Sequence, residues 1–185
     1  AQSVYVPVPD EMVWAAIPAW VETTSINRIP RIDRDEVDFG YYTMLESRTM
    51  YFENQVSYVY IRYIDKVETQ AGLDNVATIS FDYAPNGENM IFVAVRVHRG
   101  SDVVDYSGKL DFDFARQEDR LRSGTIDGTV TAFAAIPDVR LGDIVEIAHL
   151  YSWESIFVPD EFRLRGDIAT RRQMGRSELS VVVPA

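Results

Sequence analysis

Apolar and polar positions alternate along most of this chain, and the alternation begins sharply at Tyr41. Tyr42, Met44, Glu46, Arg48, Met50 and Phe52 interleave with Tyr41, Thr43, Leu45, Ser47, Thr49 and Tyr51. A period of two sends successive side chains to opposite faces of a strand. Neither set is wholly polar, so both faces are expected to be partly covered. Asn54-Gln55 is the expected turn. Residues 56–67 follow, with Val56, Tyr58, Tyr60, Arg62 and Ile64 facing one way and Val59, Ile61 and Tyr63 the other. Their density of Tyr, Val and Ile is itself a strand signal. The two runs read as one long antiparallel hairpin.

Further strands are expected at 77–83, ended by Pro85-Asn86-Gly87, and at 90–98, ended by Arg99-Gly100-Ser101. Residues 103–106 should pair back across that second turn. Leu110, Phe112 and Phe114 alternate with Asp111 and Asp113. Residues 117–122 read equally as helix or continued strand. Asp127-Gly128 is a hairpin signal, with 130–136 returning from it. Residues 137–143 read as a compact loop, 144–153 as a strand, 162–174 as ambiguous and 178–183 as a last strand. Eight to eleven strands, spaced by short turns and without long crossovers, predict an all-β fold. The architecture expected is an antiparallel β-sandwich or a curved double-layer sheet.

Residues 1–40 follow a different pattern. Val6-Pro7-Val8-Pro9 is held extended by its prolines. Asp10 and Glu11 suit the start of a short helix presenting Val13, Trp14 and Ile17 on one face and ending at Pro18. Residues 26–40 are polar and acidic. The expectation is a lead-in over 1–40 that docks Trp14 and Trp20 on a β-sandwich domain over 41–185. The strand pattern runs to the last residues without a tail, as expected of a domain cut from a longer protein.

Charge and composition narrow the function. The chain has 185 residues, with 18 Lys+Arg against 29 Asp+Glu and a net charge of −11. A nucleic-acid binder needs a basic face to displace phosphate counterions, and a polybasic membrane module needs the same. Neither fits. No apolar run approaches the ~20 residues of a spanning helix. Cysteine is absent, which excludes disulfides, thiolate metal sites and a cysteine nucleophile.

Catalytic patterns are sparse. His98 and His149 are the only histidines, each within a strand pattern, and a metal site would need both on one face together with carboxylates. There is no Gly-x-Ser-x-Gly elbow and no glycine-rich phosphate loop. Asp33, Asp35 and Asp38 miss the spacing of a calcium loop. Asp111 and Asp113 share a strand face about 7 Å apart, a separation open to paired-carboxylate chemistry but more in keeping with a solvated face. Tyr41, Tyr42, Tyr51, Tyr58, Tyr60 and Tyr63 form a stripe suited to core and rim or to stacking sugars.

One series of motifs is more specific. His98-Arg99-Gly100-Ser101-Asp102-Val103-Val104-Asp105 is followed by Ala115-Arg116-Gln117-Glu118, then Ile126-Asp127-Gly128 with Thr131-Ala132, then Pro137-Asp138-Val139-Arg140-Leu141-Gly142-Asp143-Ile144-Val145-Glu146. Pro18-Ala19-Trp20-Val21 precedes them. This order resembles an uncharacterised β-domain family that stands N-terminal to transglutaminase-like domains in bacterial envelope proteins. The similarity spans about 18–185. Gln117 departs from the Arg-x-Glu element, and 152–165 is less similar. The resemblance implies a sandwich like the N-terminal saddle domain of M1 aminopeptidases. It also implies that any catalysis belongs to a Cys-His-Asp domain elsewhere in the parent chain, since this chain lacks the cysteine.

Residue chemistry favours a structural role for the motifs. Gly100, Gly128 and Gly142 suit tight turns. The planar fork of Arg140 suits a carboxylate, with Asp138 or Asp143 as partner. Asp138, Arg140 and Asp143 are also the candidate binding residues, should that fork take a ligand instead. No catalytic residue, metal or cofactor is expected. The function expected is a non-catalytic accessory module of an exported protein of the periplasm or cell envelope. It would position an adjacent transglutaminase-like domain or bind a peptide or glycan. The alternatives are a carbohydrate-active hydrolase with paired carboxylates and a homomeric scaffold.

Overall fold

A computed structural model of the chain describes residues 9, 11–29, 39–85, 87–116, 129–154 and 174–183. Strands dominate them. In chain order they are β1 (Val13–Trp14), β2 (Tyr41–Glu53), β3 (Val56–Val67), β4 (Thr78–Tyr83), β5 (Glu88–Arg99), β6 (Asp102–Asp105), β7 (Asp113–Arg116), β8 (Val130–Ala135), β9 (Ile144–Glu154) and β10 (Met174–Val182). Among the described residues one α-helix, α1 (Gln70–Val76), and one 3-10 turn at Ile26–Arg28 accompany them. The all-β expectation holds.

The long hairpin forms as its alternation requires. Tyr41 pairs with Val67 at one end and Glu53 with Val56 at the other. Asn54 and Gln55 turn it with φ of 50° and 66°, the left-handed geometry that matches strand twist in a two-residue turn. A bulge between Thr43 and Leu45 shifts the register of β2. Beyond it Leu45, Ser47, Thr49 and Tyr51 share a face with Ile64, Arg62, Tyr60 and Tyr58.

Two sheets form the sandwich. The larger runs β1-β5-β9-β3-β2-β10, with β6 also on β5, and the smaller runs β4-β8-β7. Between them lies the main core, including Phe92, Val95 and Val97 of β5, Val145 of β9, Ile79 of β4 and Val130 of β8. Phe112 and Phe114 pack into this core while Asp111 and Asp113 are exposed, as their alternation predicts. The far face of the large sheet is apolar too. Two further clusters there join Ile29 to Tyr42, Met44, Leu45 and Ile64, and Trp20 and Val21 to Tyr60, Ala148 and Leu150.

The structure corrects three expectations. The short helix expected near Val13 is absent: Val13 and Trp14 instead form a strand parallel to Ile91 and Phe92 of β5. Two apolar residues on an open sheet edge gain ladder hydrogen bonds and contact with Phe92. Second, the sandwich is not wholly antiparallel. β10 runs parallel to β2 from Met174↔Thr43 to Val182↔Tyr51. Parallel partners cannot be joined by a tight turn, and β2 and β10 lie far apart in the chain. Third, α1 has no counterpart in the sequence reading. It sits where Gly72 meets Gly40: a Cβ on either glycine would collide with the other's backbone. The Gly40 carbonyl accepts from the Glu68 and Thr69 amides, both at 2.9 Å. Expectations for 1–8, Asp10, 30–38, Asn86, 117–128 and 155–173, including the extended Val6-Pro7-Val8 stretch and the Asp127-Gly128 hairpin, lie outside the described residues.

Candidate functional site

The lead-in passes from one face of the large sheet to the other. Trp14 packs on Phe92 (5.5 Å between ring centroids) and Phe112 (6.2 Å) on the main-core side. Trp20 stacks on Tyr51 at 5.2 Å on the opposite side. The two tryptophans thus pack on opposite faces of the sheet. Residues 16–29 then run over β3, β9 and β5. They leave a groove of about 1300 Å³ between themselves, the sheet and the turn joining β5 to β6.

The groove floor carries charge, and strand register explains why. Arg96 lies opposite Glu146, which lies opposite Ile64; His98 lies opposite Ile144, which lies opposite Lys66. Cross-strand partners share a face, so Arg62, Lys66, Arg96, His98 and Glu146 all reach the groove. Glu146 is the hub. Arg62 Nε donates to its Oε1 at 2.7 Å, His98 Nε2 meets its Oε2 at 2.9 Å, and Arg96 Nη1 stands 3.6 Å away. Arg62 Nη1 also donates to the Thr24 carbonyl at 2.6 Å, tying the lead-in to the floor. The Thr24 hydroxyl donates to Glu178 of β10 at 2.9 Å.

Arg62 is 6% exposed and Glu146 4%. Burial by itself would raise the Glu146 pKa. The hydrogen bond from His98 and the charges of Arg62 and Arg96 outweigh it and hold the carboxyl at about 2. Tyr60, beside them, is pushed up to about 12, mainly by burial. Asp105 is drawn down to about 2: burial opposes this, but hydrogen bonds from Ser107 and Arg96 prevail.

Asp138, Arg140 and Asp143 come together at one end of the groove as a clamp. Its main fork is not Arg140 but Arg99. Arg99 Nε and Nη2 donate to the two oxygens of Asp143 at 2.9 and 2.7 Å, and Nη2 also donates to the Asp138 carbonyl at 2.6 Å. Asp143 is 2% exposed and accepts the Arg140 amide as well, at 2.8 Å. The Arg140 side chain takes Asp138 instead, at 2.7 and 2.8 Å. That pair is exposed. Asp138 (φ 53°) and Gly142 (φ 86°) shape the loop, and its backbone bonds to Val67 of β3. The Arg99-Gly100 and 137–146 motifs therefore form one structure, joined by the Arg99 guanidinium.

The histidines separate. His98 faces the groove, whereas His149 pairs with Phe92 on the other face. Among the described residues no group of three or more His, Asp or Glu is arranged to hold a metal ion. His149 is 1% exposed and ringed by Phe81, Phe92, Tyr63 and Tyr151, with Nδ1 unpartnered. Burial, aided by the charge of Arg48, pushes its pKa down to about 3. The tyrosine stripe divides in the same way: Tyr42, Tyr51, Tyr58 and Tyr60 lie on the groove face, Tyr41 and Tyr63 on the core face. Sequence reasoning passed over Arg62, Lys66, Arg96 and Glu146. The available signal was a basic residue, Arg62, within the apolar row Tyr58, Tyr60, Ile64.

Comparison with known proteins gives a family and a fold. A family model described as "Domain of Unknown Function with solved-structure structure (DUF3857)" matches residues 53–185. No curated protein matches the chain. Among solved structures, a "putative protease" from Parabacteroides distasonis ATCC 8503 is similar at a TM-score of 0.55 and 7% identity. The match covers 65% of this chain and 24% of that one, so this chain corresponds to about a quarter of that protein's length. A family IIIA CBD from Clostridium cellulolyticum is similar at a TM-score of 0.37 and 11% identity, covering 64% of this chain and 75% of that one. The CBM3a-L domain of a Clostridium thermocellum cellulosome scaffoldin is similar at 0.36 and 7%, covering 65% and 71%.

Proposed function

We propose, from the premise that the chain belongs to the DUF3857 family of domains of unknown function, that it is a non-catalytic interaction module whose groove holds an extended segment of a partner. In the fuller form of this reading, the module belongs to an exported bacterial protein and stands before a transglutaminase-like domain. There it positions that domain or binds a peptide or glycan.

The groove carries the proposal. A volume of about 1300 Å³ exceeds the ~300–1,000 Å³ typical of small-molecule pockets and suits a length of polymer. Its floor sets Arg62, Lys66, Arg96 and His98 around one lining carboxylate, Glu146, so charge is available for recognising a polar partner. General acid catalysis by a carboxyl group requires a raised pKa. Among the described residues every resolved carboxylate shift, at Asp105, Asp138 and Glu146, is downward. That weighs against the paired-carboxylate hydrolase.

Backbone amide NMR during titration with extended peptides and with glycan oligomers is the test. Shift changes should cluster at 60–66, 93–101 and 142–146. Saturable binding that leaves those residues unmoved would refute the groove as the site. The parent context has its own check: an antibody to this domain should detect a native polypeptide well above 21.1 kDa.

A further inference from the structure

We infer that the groove recognises an acidic, aliphatic peptide segment, an inference that rests on the groove being the binding site. Arg62, Lys66 and Arg96 line it against the single carboxylate of Glu146. In a chain of net charge −11 this concentration of cations is local and opposite in sign to the surroundings. Lys66 is one of only two lysines, beside 16 arginines.

The two outer cations are available to a ligand. Arg62 is committed to Glu146 and Thr24. Arg96 is 37% exposed and bonds Asp105 of β6, itself 46% exposed, at 3.0 Å. Lys66 is 33% exposed and bonds Glu68 at 2.6 Å. Pairs that solvent reaches contribute little, so an incoming carboxylate can share Arg96 with Asp105 and Lys66 with Glu68. Lys66 and His98 flank Ile144 across β9, roughly 10 Å apart by strand spacing. A chain crossing the floor thus meets cationic or imidazole groups on both sides. Gly100 and Gly142 line one end, where an added Cβ would meet nothing within 4 Å among the described residues.

The remaining lining selects the ligand class. Ile17, Ile26, Val93, Val103 and Ile144 offer aliphatic contact. The groove's tyrosines, Tyr42 and Tyr60, are 3% and 2% exposed and give no free aromatic face for a sugar ring to stack on. This favours a peptide over an acidic glycan.

The test uses the 185-residue chain and fluorescence anisotropy with four labelled probes. These are an octapeptide of alternating Glu and Val, its Gln-for-Glu counterpart, its Lys-for-Glu counterpart and an oligogalacturonate. The Glu peptide should bind about tenfold more tightly than the Gln peptide, as expected for a charge-assisted contact, and should weaken as salt rises. Arg96→Gln and Lys66→Gln should each remove most of that tenfold preference while leaving the circular dichroism spectrum unchanged. Equal binding of the Glu and Gln peptides, each competing for the groove, would overturn the acidic preference yet leave the groove reading intact. Tighter binding of the Lys peptide would overturn the charge argument, and binding of oligogalacturonate alone would overturn the peptide class. Failure of every probe to bind would overturn both the inference and the groove reading.

Discussion

Replacing Glu146 with Gln tests the energetics at the centre of the groove. The substitution keeps shape and one acceptor oxygen but removes the charge that faces Arg62 at 2.7 Å and His98 at 2.9 Å. The interval between the ordinary carboxyl value of 4.5 and about 2 corresponds to roughly 3 kcal/mol. Breaking one side of a buried ion pair costs about 3–5 kcal/mol by general experience, so the two routes agree. A carboxyl group with a lowered pKa contributes its full stability above its unfolded value and loses it as pH falls through the folded value. The Glu146 contribution should therefore be complete above about pH 5 and fade between pH 4.5 and 2. The assay is urea unfolding of wild type and Glu146→Gln at pH 7, 5, 4 and 3. The variant should be about 3 kcal/mol less stable at pH 7, and the gap should narrow below pH 4.5. Both proteins should share the acid-induced loss caused by His149 and Asp105. A gap under 1 kcal/mol at pH 7, or one that does not narrow in acid, would refute the reasoning.

Other outcomes follow from the same geometry. Asp143→Asn should cost about 2–3 kcal/mol, because Arg99 loses a buried charged partner, whereas Arg140→Ala should cost under ~1 kcal/mol because its pair with Asp138 is exposed; thermal melts of the two variants separate these roles. Gly72→Ala should lower stability by more than ~2 kcal/mol, since a Cβ there meets the Gly40 carbonyl and backbone must shift; denaturant unfolding measures it. Trp20→Ala should accelerate hydrogen exchange across 16–29 while leaving β9 protected, because Trp20 anchors the lead-in on Tyr51. His149 should stay neutral down to about pH 4 in a nitrogen-detected NMR titration. The unfolded chain takes up that proton near pH 6.5, so His149 contributes a loss of stability as pH falls from there.

The clamp shows how far motif reading reaches. Tight turns at Gly100 and Gly142 and an arginine fork on a carboxylate were all legible from residue types. The choice of fork was not. Arg99 and Asp143 are 44 residues apart in sequence, and only the pairing of β5 with β9 brings them together. Nothing local distinguishes Arg99 from Arg140 as the buried partner. The groove was less legible still. Its charged residues are divided among three strands, Arg62 and Lys66 on β3, Arg96 and His98 on β5 and Glu146 on β9, and within any one strand pattern an Arg or Glu reads as a solvated position.

By itself the sequence determined that this is an all-β protein with a long hairpin turning at Asn54-Gln55, no cysteine chemistry and no basic surface overall. These features depend on local alternation, turn propensity and composition, which act within a few residues. Tertiary structure alone decided which strands became neighbours, that β10 runs parallel to β2, and that β1 is a strand rather than a helix. It alone sent Trp14 and Trp20 to opposite faces and brought Arg62, Lys66, Arg96, His98 and Glu146 into one groove. Alternation assigns a side chain to a face of its own strand; the identity and register of the next strand come from long-range packing. A site assembled from three strands exists only after that packing is complete.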